Sequence, residues 1–545
     1  MLRLSTALAV LLAATASVPA ADPLLPADKP VEAVIDHYVD ALLKSDGIEP
    51  APQADDATFI RRATLDLVGR IPTSAEVDEF TKSTDSQKRA NLVDRLIASP
   101  GFVRFQAAQF DAMINGTVAG DDRKPTLYPY LQAALAEGKG WDAMFRDLML
   151  PPDGQAADKK KATGTPADFL RSRVQDLDRL TNDVSVAFFG VNVSCAQCHD
   201  HPLVQDWKQD HFYGLKSFFS RTFDAGGFLA ERDAGLVKFK PTKGPERQAK
   251  LMFLTSATVN TDTVRELSKD EQKKEKEAIE KAKAAKAAPP KPSFSARAKL
   301  VDIALKPGEA DFFAKAIVNR MWHRFTGTGF VMPLDQMHSE NPPSHPDLLA
   351  WLARDTQSHG YDLRRLTRGI VMSKTYSRAS KAPSASAPPA KYFAVAKLKP
   401  MTPLQLGTSL RIATLDPAQF EKGKPDEIEK RIEQCEGTGR GFDRQVAFPT
   451  DDFQIGVGEA LLFSNGDKLN KELLGDNGIM GRVKSVKDPK DAVELMVRTV
   501  YGRSPTADET KALTEYIGRR PDRVQEAYRQ VMWALLTSAE FRFSY

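Results

Sequence analysis

Cysteine and histidine are scarce in this sequence, which contains three cysteines and eight histidines among 545 residues. Three cysteines are too few for a disulfide framework in a protein of this length, so packed apolar cores must hold the fold together. Hydrophobic residues make up 42% of the chain, which is enough for such cores, and the length predicts several domains. Each cysteine therefore needs its own explanation.

The chain also lacks an excess of either charge. Its 76 basic and 72 acidic residues are spread along the sequence and give a net charge of +4. This balance implies neither nucleic acid nor an anionic membrane as a partner. No paired carboxylates, Ser-His-Asp set, Gly-rich phosphate loop or His-Glu-x-x-His motif indicates a specific hydrolase, so the sequence assigns no catalytic residue.

Long hydrophobic runs are missing except at the start, where residues 1–20 have the pattern of a secretory signal. Arg3 precedes an apolar run over residues 4–16, and small side chains follow. The run is shorter than the roughly 20 residues that span a bilayer. We expect cleavage after Ala20 or Ala21 and a soluble, exported chain, periplasmic or extracellular, with an uncleaved anchor as the alternative.

Two polar segments divide the chain into blocks. Residues 267–293 are mostly Lys, Glu and Ala, then Pro, with no apolar face, and residues 377–391 are rich in Ser, Ala and Pro. We interpret both as exposed linkers. They leave an N-terminal domain at 30–266 and a second domain made of 294–376 and 392–545.

Hydrophobic periodicity predicts a mainly α-helical protein with multi-helix N-terminal and C-terminal domains. Apolar residues recur at helical spacing from Asp56 to Val68, and Gly69 ends this helix. A small β-containing insertion is expected within 221–260. Five Ser/Thr-x-x-Asp/Glu/Gln segments predict helix starts, at Thr73–Glu76, Thr165–Asp168, Ser344–Asp347, Thr402–Gln405 and Thr506–Glu509.

Two of the cysteines lie in the segment VNVSCAQCHDHP, residues 191–202. Cys195, Cys198 and His199 form Cys-x-x-Cys-His, the attachment pattern of haem c. Two thiols about one helical turn apart add to the two vinyl groups on one edge of a porphyrin, and the following histidine becomes an axial ligand of the iron. The motif predicts covalent haem c at these three residues, with His199 as the metal ligand.

Three other interpretations of the motif remain open. An exported protein forms disulfides readily, although a Cys195–Cys198 bond closes a short, strained loop. Zinc or iron at Cys195, Cys198, His199 and His201 is the second, and it needs a distant ligand to complete the coordination. The third is a pair of buried, inert thiols. Cys435 has no partner nearby in sequence and is interpreted as a lone thiol.

A second axial ligand for a haem is not supplied by the motif, because His201 is too close to His199 to reach the opposite face. The candidates elsewhere in the chain are His211, Met321, His323, Met332, Met337 and His338. The aromatic residues that flank the motif, in SVAFFGV and DWKQDHFYGLKSFF, fit a packed helical core and equally a dry wall around a porphyrin.

Several long segments carry a family resemblance: DDATFIRRATLDLVGRIPTSAEV, FFGVNVSCAQCHDHPLVQDWKQDHFYGLKSFF and the stretch from Phe313 to Arg378. They resemble the planctomycete-type, exported, cytochrome-C-associated family built from two domains of unknown function, 1549 followed by 1553. The motif matches the family pattern at Cys195, Cys198, His199, Asp200, His201 and Pro202. The resemblance implies export and association with periplasmic redox or polysaccharide-degrading systems.

The second half matches the same family at Asn319, Arg320, Trp322, Gly329, Asn341, Pro342, Ser344, His345 and Pro346. The chain departs from it after Tyr392, where AKLKPMTPLQL replaces a paired-arginine segment. From the residues themselves, we expect Asn319, Arg320 and Asn341 to form buried hydrogen bonds that brace a loop against a helix. The alternative is a cleft facing the first domain, lined by Arg320, His323, His338, Glu340 and His345.

These observations leave three functions open. The first is an exported haem protein that carries electrons or serves as the redox partner of a secreted enzyme. The second is an enzyme with a metal at the Cys/His cluster. The third is a scaffold or carbohydrate-associated binding module without catalysis. The identity of any redox or secreted-enzyme partner lies beyond the residues.

Overall fold

A computed structural model of the chain describes most residues from Leu24 to Tyr545. The described ranges are 24–116, 126–151, 164–260, 266–306, 308, 311–384, 386–442, 446, 448–449, 463 and 473–545. The predicted signal segment, residues 1–20, lies outside them. Within these ranges no helix is both long enough and apolar enough to cross a membrane.

The first half is a stack of helices that ends in a small β region. Its helices are α1 (Val31–Ser45), α2 (Asp56–Val68), α3 (Ser74–Lys82), α4 (Lys88–Ala98), α5 (Pro100–Asn115), α6 (Tyr128–Ala136), α7 (Trp141–Met149), α8 (Ala167–Arg171), α9 (Leu177–Val184) and α10 (Gln209–Ser217). A π-helical segment, Ser185–Phe189, continues α9, and a 3₁₀ turn, Ser194–Gln197, precedes α10.

Two antiparallel hairpins follow α10, within the predicted β region. Strands β1 (Thr222–Ala225) and β2 (Phe228–Glu231) pair with Ala225 opposite Phe228. Gly226 and Gly227 form the turn, and both have positive φ, which suits a two-residue hairpin loop. Strands β3 (Lys238–Phe239) and β4 (Arg247–Gln248) form the second pair.

The second half is again helical. Its helices are α11 (Lys269–Ala284), α12 (Ala296–Ala304), α13 (Asp311–Thr326), α14 (Pro346–Ser358), α15 (Leu363–Met372), α16 (Pro403–Thr414), α17 (Ala418–Glu421), α18 (Pro425–Gly439), α19 (Ile479–Lys484), α20 (Pro489–Tyr501), α21 (Ala507–Gly518), α22 (Val524–Thr537) and α23 (Ala539–Arg542). Strand β5 (Lys399–Pro400) pairs with β6 (Phe543–Ser544). The predicted mainly α fold with small β elements is confirmed.

Two hydrophobic cores meet at helix α2. One runs from Val31 to Ala394 and so joins the first half to α12–α15, and the other packs residues of 401–541. Leu65 of α2 belongs to the second core, whereas Phe59, Ile60 and Leu67 belong to the first. Helix α2 is therefore enclosed on both sides, and its polar side chains Arg61 and Arg62 are buried as well.

The two predicted linkers contain ordered elements. Helix α11 lies in the charged segment and has no buried residue, as expected for a helix without an apolar face. A capping box of Ser268 and Glu271 begins it. In the second segment Arg378 is buried, and its guanidinium donates to Asp40 of α1 at 2.6 Å. That contact ties the start of this segment to the first half.

The predicted helix starts are correct where a full capping box forms. Thr73, Thr402 and Thr506 each cap the third residue of their helices and receive the reciprocal bond. The prediction at Ser344 is wrong: His345 is the N-cap of α14. The Ser344 main chain pairs instead with Phe330, and its hydroxyl contacts the His345 ring. At Thr165 only the Asp168 half of the box forms.

Candidate functional site

The Cys-x-x-Cys-His motif forms a 3₁₀ turn on the surface. Val193 and Ala196 are completely buried and anchor the turn, and the Ala196 N–H donates to the Val193 carbonyl at 3.0 Å. Cys195 and Cys198 point the other way and are exposed, free thiols. Alternation of small apolar anchors with cysteines therefore presents both thiols on the outer side of one turn.

Gln209, the first residue of α10, holds the main chain of this turn. Its amide contacts the Gln197 carbonyl at 3.5 Å, and its side-chain oxygen accepts from the Thr242 N–H at 2.9 Å. The Thr242 hydroxyl lies 3.4 Å from the Cys198 carbonyl. The Gln209 N–H in turn donates to the Asp200 carboxylate at 2.9 Å. Gln209 is buried and positions the motif, a role that its sequence context did not reveal.

The ring of His199 has a defined tautomer. Its Nδ1 lies 2.8 Å from the main-chain oxygen of Asp200, and a carbonyl oxygen only accepts, so Nδ1 carries the proton. In the neutral ring Nε2 then keeps its lone pair. Donation from the other ring nitrogen to a carbonyl is also what orients histidine ligands of metals. His199 is exposed and offers Nε2 as a ligand.

His201 has the opposite tautomer. Its Nδ1 accepts from the N–H groups of Leu203 and Val204 at 3.3 and 3.1 Å, so in the neutral ring Nε2 carries the proton. The main-chain N–H of His201 donates to the Trp207 carbonyl at 2.8 Å. His201 therefore stabilises the loop after the motif, and its lone pair is already used.

A loop of the second half packs along both flanks of the motif. The main chains of Val191 and Gln336 form an antiparallel bridge, and the Asn192 N–H donates to the Asp335 carbonyl at 2.8 Å. Beyond the motif, Ser339 donates to the Asp206 carboxylate through its N–H and its hydroxyl, at 2.7 and 2.8 Å. Residues 335–339 thus fix the segments before and after the cysteines.

Arg320 of α13 also contacts the segment that precedes the motif. Its guanidinium donates to the Val186 carbonyl at 2.5 Å, inside the π-helical segment that precedes the motif. Burial lowers the pKa of Arg320 to about 10, and the negative charge of Asp335 opposes this shift. A π-helical segment leaves carbonyls without their usual partners, and Arg320 satisfies one of them.

The expected bracing of loop against helix is found for Asn319 of α13, whereas Asn341 bonds within the loop itself. Asn319 bonds both main-chain groups of Val331, at 2.9 and 3.1 Å. The Asn341 amide donates to the carbonyls of Met332 and Gln336, at 3.2 and 2.9 Å. Together they fix the loop from residue 330 to residue 341, which carries the contacts with the motif.

Two protein-family models match the chain. Residues 34–224 match PSCyt2, a protein of unknown function (DUF1549), and residues 296–454 match PSD1, a protein of unknown function (DUF1553). The chain belongs to the family in which a PSCyt2 domain is followed by a PSD1 domain. No curated protein and no solved structure matches the chain significantly.

Of the candidate second axial ligands, Met337 and His338 lie in the PSD1 loop that packs beside the motif. The Met337 N–H donates to the Gly190 carbonyl at 3.1 Å, and Ser339, which follows His338, bonds Asp206. Nδ1 of His338 is buried and has no hydrogen-bond partner among the described residues. His211 is different, because its Nδ1 accepts from the Lys208 N–H and its Nε2 bonds the Ser256 hydroxyl at 2.9 Å. Burial lowers the pKa of His211.

The aromatic residues beside the motif belong to the core that the PSCyt2 domain shares with the first part of the PSD1 domain. Phe188 and Phe189 contact Trp141, Phe145 and Phe313 with ring centroids 4.9–6.5 Å apart. The side chains that follow the motif and belong to the same core are Trp207, Phe212, Leu215, Phe218 and Phe219. The rings lie beneath the motif and leave its thiols exposed to solvent.

Two of the side chains expected to line a cleft in the PSD1 domain have different neighbours. Arg320 contacts Val186, whereas His345 lies beside Phe330 and Phe393, with ring centroids at 6.1 and 5.2 Å. Across the described residues, no three His, Cys, Asp or Glu side chains are arranged to hold a metal ion.

The three thiols should differ sharply in reactivity. In chain produced without c-type haem maturation, at about pH 8, we expect an alkylating reagent to modify Cys195 and Cys198 quickly and Cys435 only after unfolding, as read by peptide mass spectrometry. Cys435 is 2% exposed, and burial raises its pKa to about 11, so little thiolate forms. Slow labelling of all three would instead indicate a bond between Cys195 and Cys198.

Proposed function

We propose that this chain is an exported protein that binds haem c through Cys195 and Cys198, with His199 as an axial ligand of the iron. Its role would be electron transfer, as a carrier or as the redox partner of a secreted enzyme. The match to the two domains of unknown function does not depend on whether haem is bound.

The tautomer of His199 carries the proposal. Attachment needs two free thiols on one side of a turn and an imidazole nitrogen with an available lone pair. Cys195 and Cys198 are exposed and free, and Nδ1 of His199 donates to the Asp200 carbonyl, which leaves Nε2 to bind iron. The residues present therefore fit the group.

The attachment chemistry needs no oxidant. Each S–H adds across one vinyl C=C bond, with sulfur bonded to one carbon and hydrogen to the other, and nothing leaves. The bound haem would supply a one-electron iron couple. Cys195 and Cys198, which would hold it, are exposed, and solvent exposure is one of the properties that set the potential of such a group.

The test is expression of the full chain in a host with c-type haem maturation, followed by intact-mass measurement and a visible spectrum. We expect a mass gain of one haem, a Soret band, and a first residue just after Ala20 or Ala21. Replacing Cys195 and Cys198 with alanine should abolish the covalent mass gain. Cys435→Ala, the same change at the buried thiol, should leave it intact.

A second pair of variants separates the two histidines. His199→Gln should alter the Soret band because it removes the proposed ligand. His201→Gln keeps an acceptor near the Leu203 and Val204 N–H groups and should leave the band unchanged. An unpigmented protein whose two surface thiols both remain alkylatable would contradict the haem proposal.

The competing proposal is a zinc or iron ion at Cys195, Cys198, His199 and His201. It is less favoured because the His201 lone pair accepts two main-chain N–H groups. A colourless protein that retains stoichiometric metal after gel filtration would support it. A colourless, metal-free protein would leave a scaffold or carbohydrate-associated module, and binding to polysaccharides would then be the next measurement.

A further inference from the structure

A small cavity lies where helix α2 of the PSCyt2 domain meets the PSD1 domain. It has a volume of about 30 Å³, and the side chains that matter here are Arg62, Thr375, Lys397 and Lys399. A water molecule needs a cavity of about 10–15 Å³, so this cavity is large enough for one small ion.

The surroundings of the cavity are positively charged. Arg62, Arg324 and Lys399 face the carboxylate of Asp66, whose Oδ2 already accepts from Lys399 Nζ at 2.7 Å and the Tyr376 hydroxyl at 2.9 Å. Burial lowers the pKa of Lys399, and the charges of Arg62 and Arg324 lower it further, against the effect of Asp66. One side-chain carboxylate therefore serves three cations, of which Arg62 is buried and Arg324 and Lys399 are half-buried.

Two buried donors of the lining have no partner among the residues that the structure describes. Within those residues Nη2 of Arg62 and the hydroxyl of Thr375 make no hydrogen bond, and Arg62 and Thr375 are 3% and 4% exposed, respectively. The other guanidinium nitrogens of Arg62 are used: Nε donates to the main-chain oxygen of Tyr545 at 2.9 Å, and Nη1 to the carbonyls of Tyr376 and Arg378. Buried donors without acceptors are rare and need an explanation.

We propose that this cavity binds a small monovalent anion of the size of chloride, held by Arg62 Nη2 and the Thr375 hydroxyl. Lys397 and Lys399 add positive charge at its rim, and Lys397 Nζ is held there by the Gly327 carbonyl at 3.0 Å. A water molecule would accept the two hydrogen bonds but would not offset the charge of these cations. The volume of about 30 Å³ accommodates one small ion.

The site would fasten the two domains together, since Arg62 belongs to α2 and the other lining residues to the PSD1 match. This role is independent of haem attachment, because the cavity and the motif are built from different residues. Its ligand would stabilise the folded chain by mass action.

The experiment measures the thermal unfolding midpoint of the full chain while sodium gluconate is replaced by sodium chloride at constant ionic strength. Constant ionic strength removes general screening, and gluconate is too large for the cavity. We expect a saturable rise of the midpoint with chloride, accompanied by broadening of the chloride NMR line. Absence of either effect in the wild-type chain would overturn the proposal.

Variants assign the effect to this cavity. Thr375→Val removes one hydrogen bond to the ion and should weaken the chloride response about tenfold. Thr367→Val is the matched control, because Thr367 is also buried with an unpartnered hydroxyl but does not line the cavity. Lys397→Gln, at an exposed position, should also weaken the response and decides the matter if Thr375→Val fails to fold. If Lys397→Gln, and Thr375→Val where it folds, respond to chloride as the wild-type chain does, the site is refuted.

Discussion

Replacing Arg104 with alanine is expected to lower the free energy of unfolding by about 3–5 kcal/mol, because it leaves the buried carboxylate of Glu436 without a counter-charge. Arg104 lies on α5, and its guanidinium bonds both oxygens of Glu436 at 2.6 and 2.8 Å and Glu429 at 2.6 Å. Burial lowers the pKa of Arg104, but the hydrogen bonds and negative charges of Glu436 and Glu429 together outweigh it, and the net direction is upward.

Urea unfolding of Arg104→Ala measures this loss, and Arg368→Ala is the control. Arg368 forms a similar pair with Asp94, at 2.6 Å, on the surface, where such pairs contribute about 0–1 kcal/mol. Adding Glu436→Gln to Arg104→Ala should recover part of the loss, since it removes the uncompensated charge. Equal, small effects of the two alanine variants would show that water reaches the Arg104 pair.

Acid should destabilise the chain through His345, by up to about 3 kcal/mol between pH ~6.5 and pH ~4. Burial lowers the pKa of His345 to about 4, whereas an unfolded histidine titrates near 6.5. Between these values the unfolded chain binds a proton that the folded chain excludes, so stability falls as the pH falls. The slope for one proton is about 1.4 kcal/mol per pH unit.

Comparing unfolding free energies from about pH 7 to about pH 4 in His345→Phe and His37→Gln isolates this contribution. A phenylalanine ring in place of the imidazole would still pack against Phe330 and Phe393 but would not titrate. The slope of the unfolding free energy against pH should therefore decrease by the contribution of one proton. His37 is exposed on α1, and its replacement should leave the slope unchanged. Parallel slopes in wild-type and His345→Phe chains would exclude His345 as the source.

Local patterns carried most of the fold prediction. Helix α2 ends at Gly69, which has a φ of 73°, and the boxes at Thr73, Thr402 and Thr506 form because all their partners lie within three residues. The exposed turn with its two cysteines follows from a short segment as well. Such features depend on neighbours in sequence and are visible in it.

Long-range contacts could not be predicted in this way. The Arg320–Val186 bond joins residues 134 positions apart, and the role of Gln209 depends on Thr242, 33 positions away. The failure at Ser344 has the same origin, because a tertiary contact with Phe330 replaces the local cap. Periodicity also missed the enclosure of α2 on both sides, which required knowledge of the second core.

The contact between Arg320 and Val186 bears on the order of events during synthesis. Translation proceeds from the N-terminus, and domains generally fold in that order. The cysteine pair leaves the ribosome well over a hundred residues before the arginine that steadies its approach. In a nascent chain both thiols therefore emerge before Arg320 and Ser339 can contact the segments beside them, and Gln209 and Thr242 are among the residues that hold the motif until then.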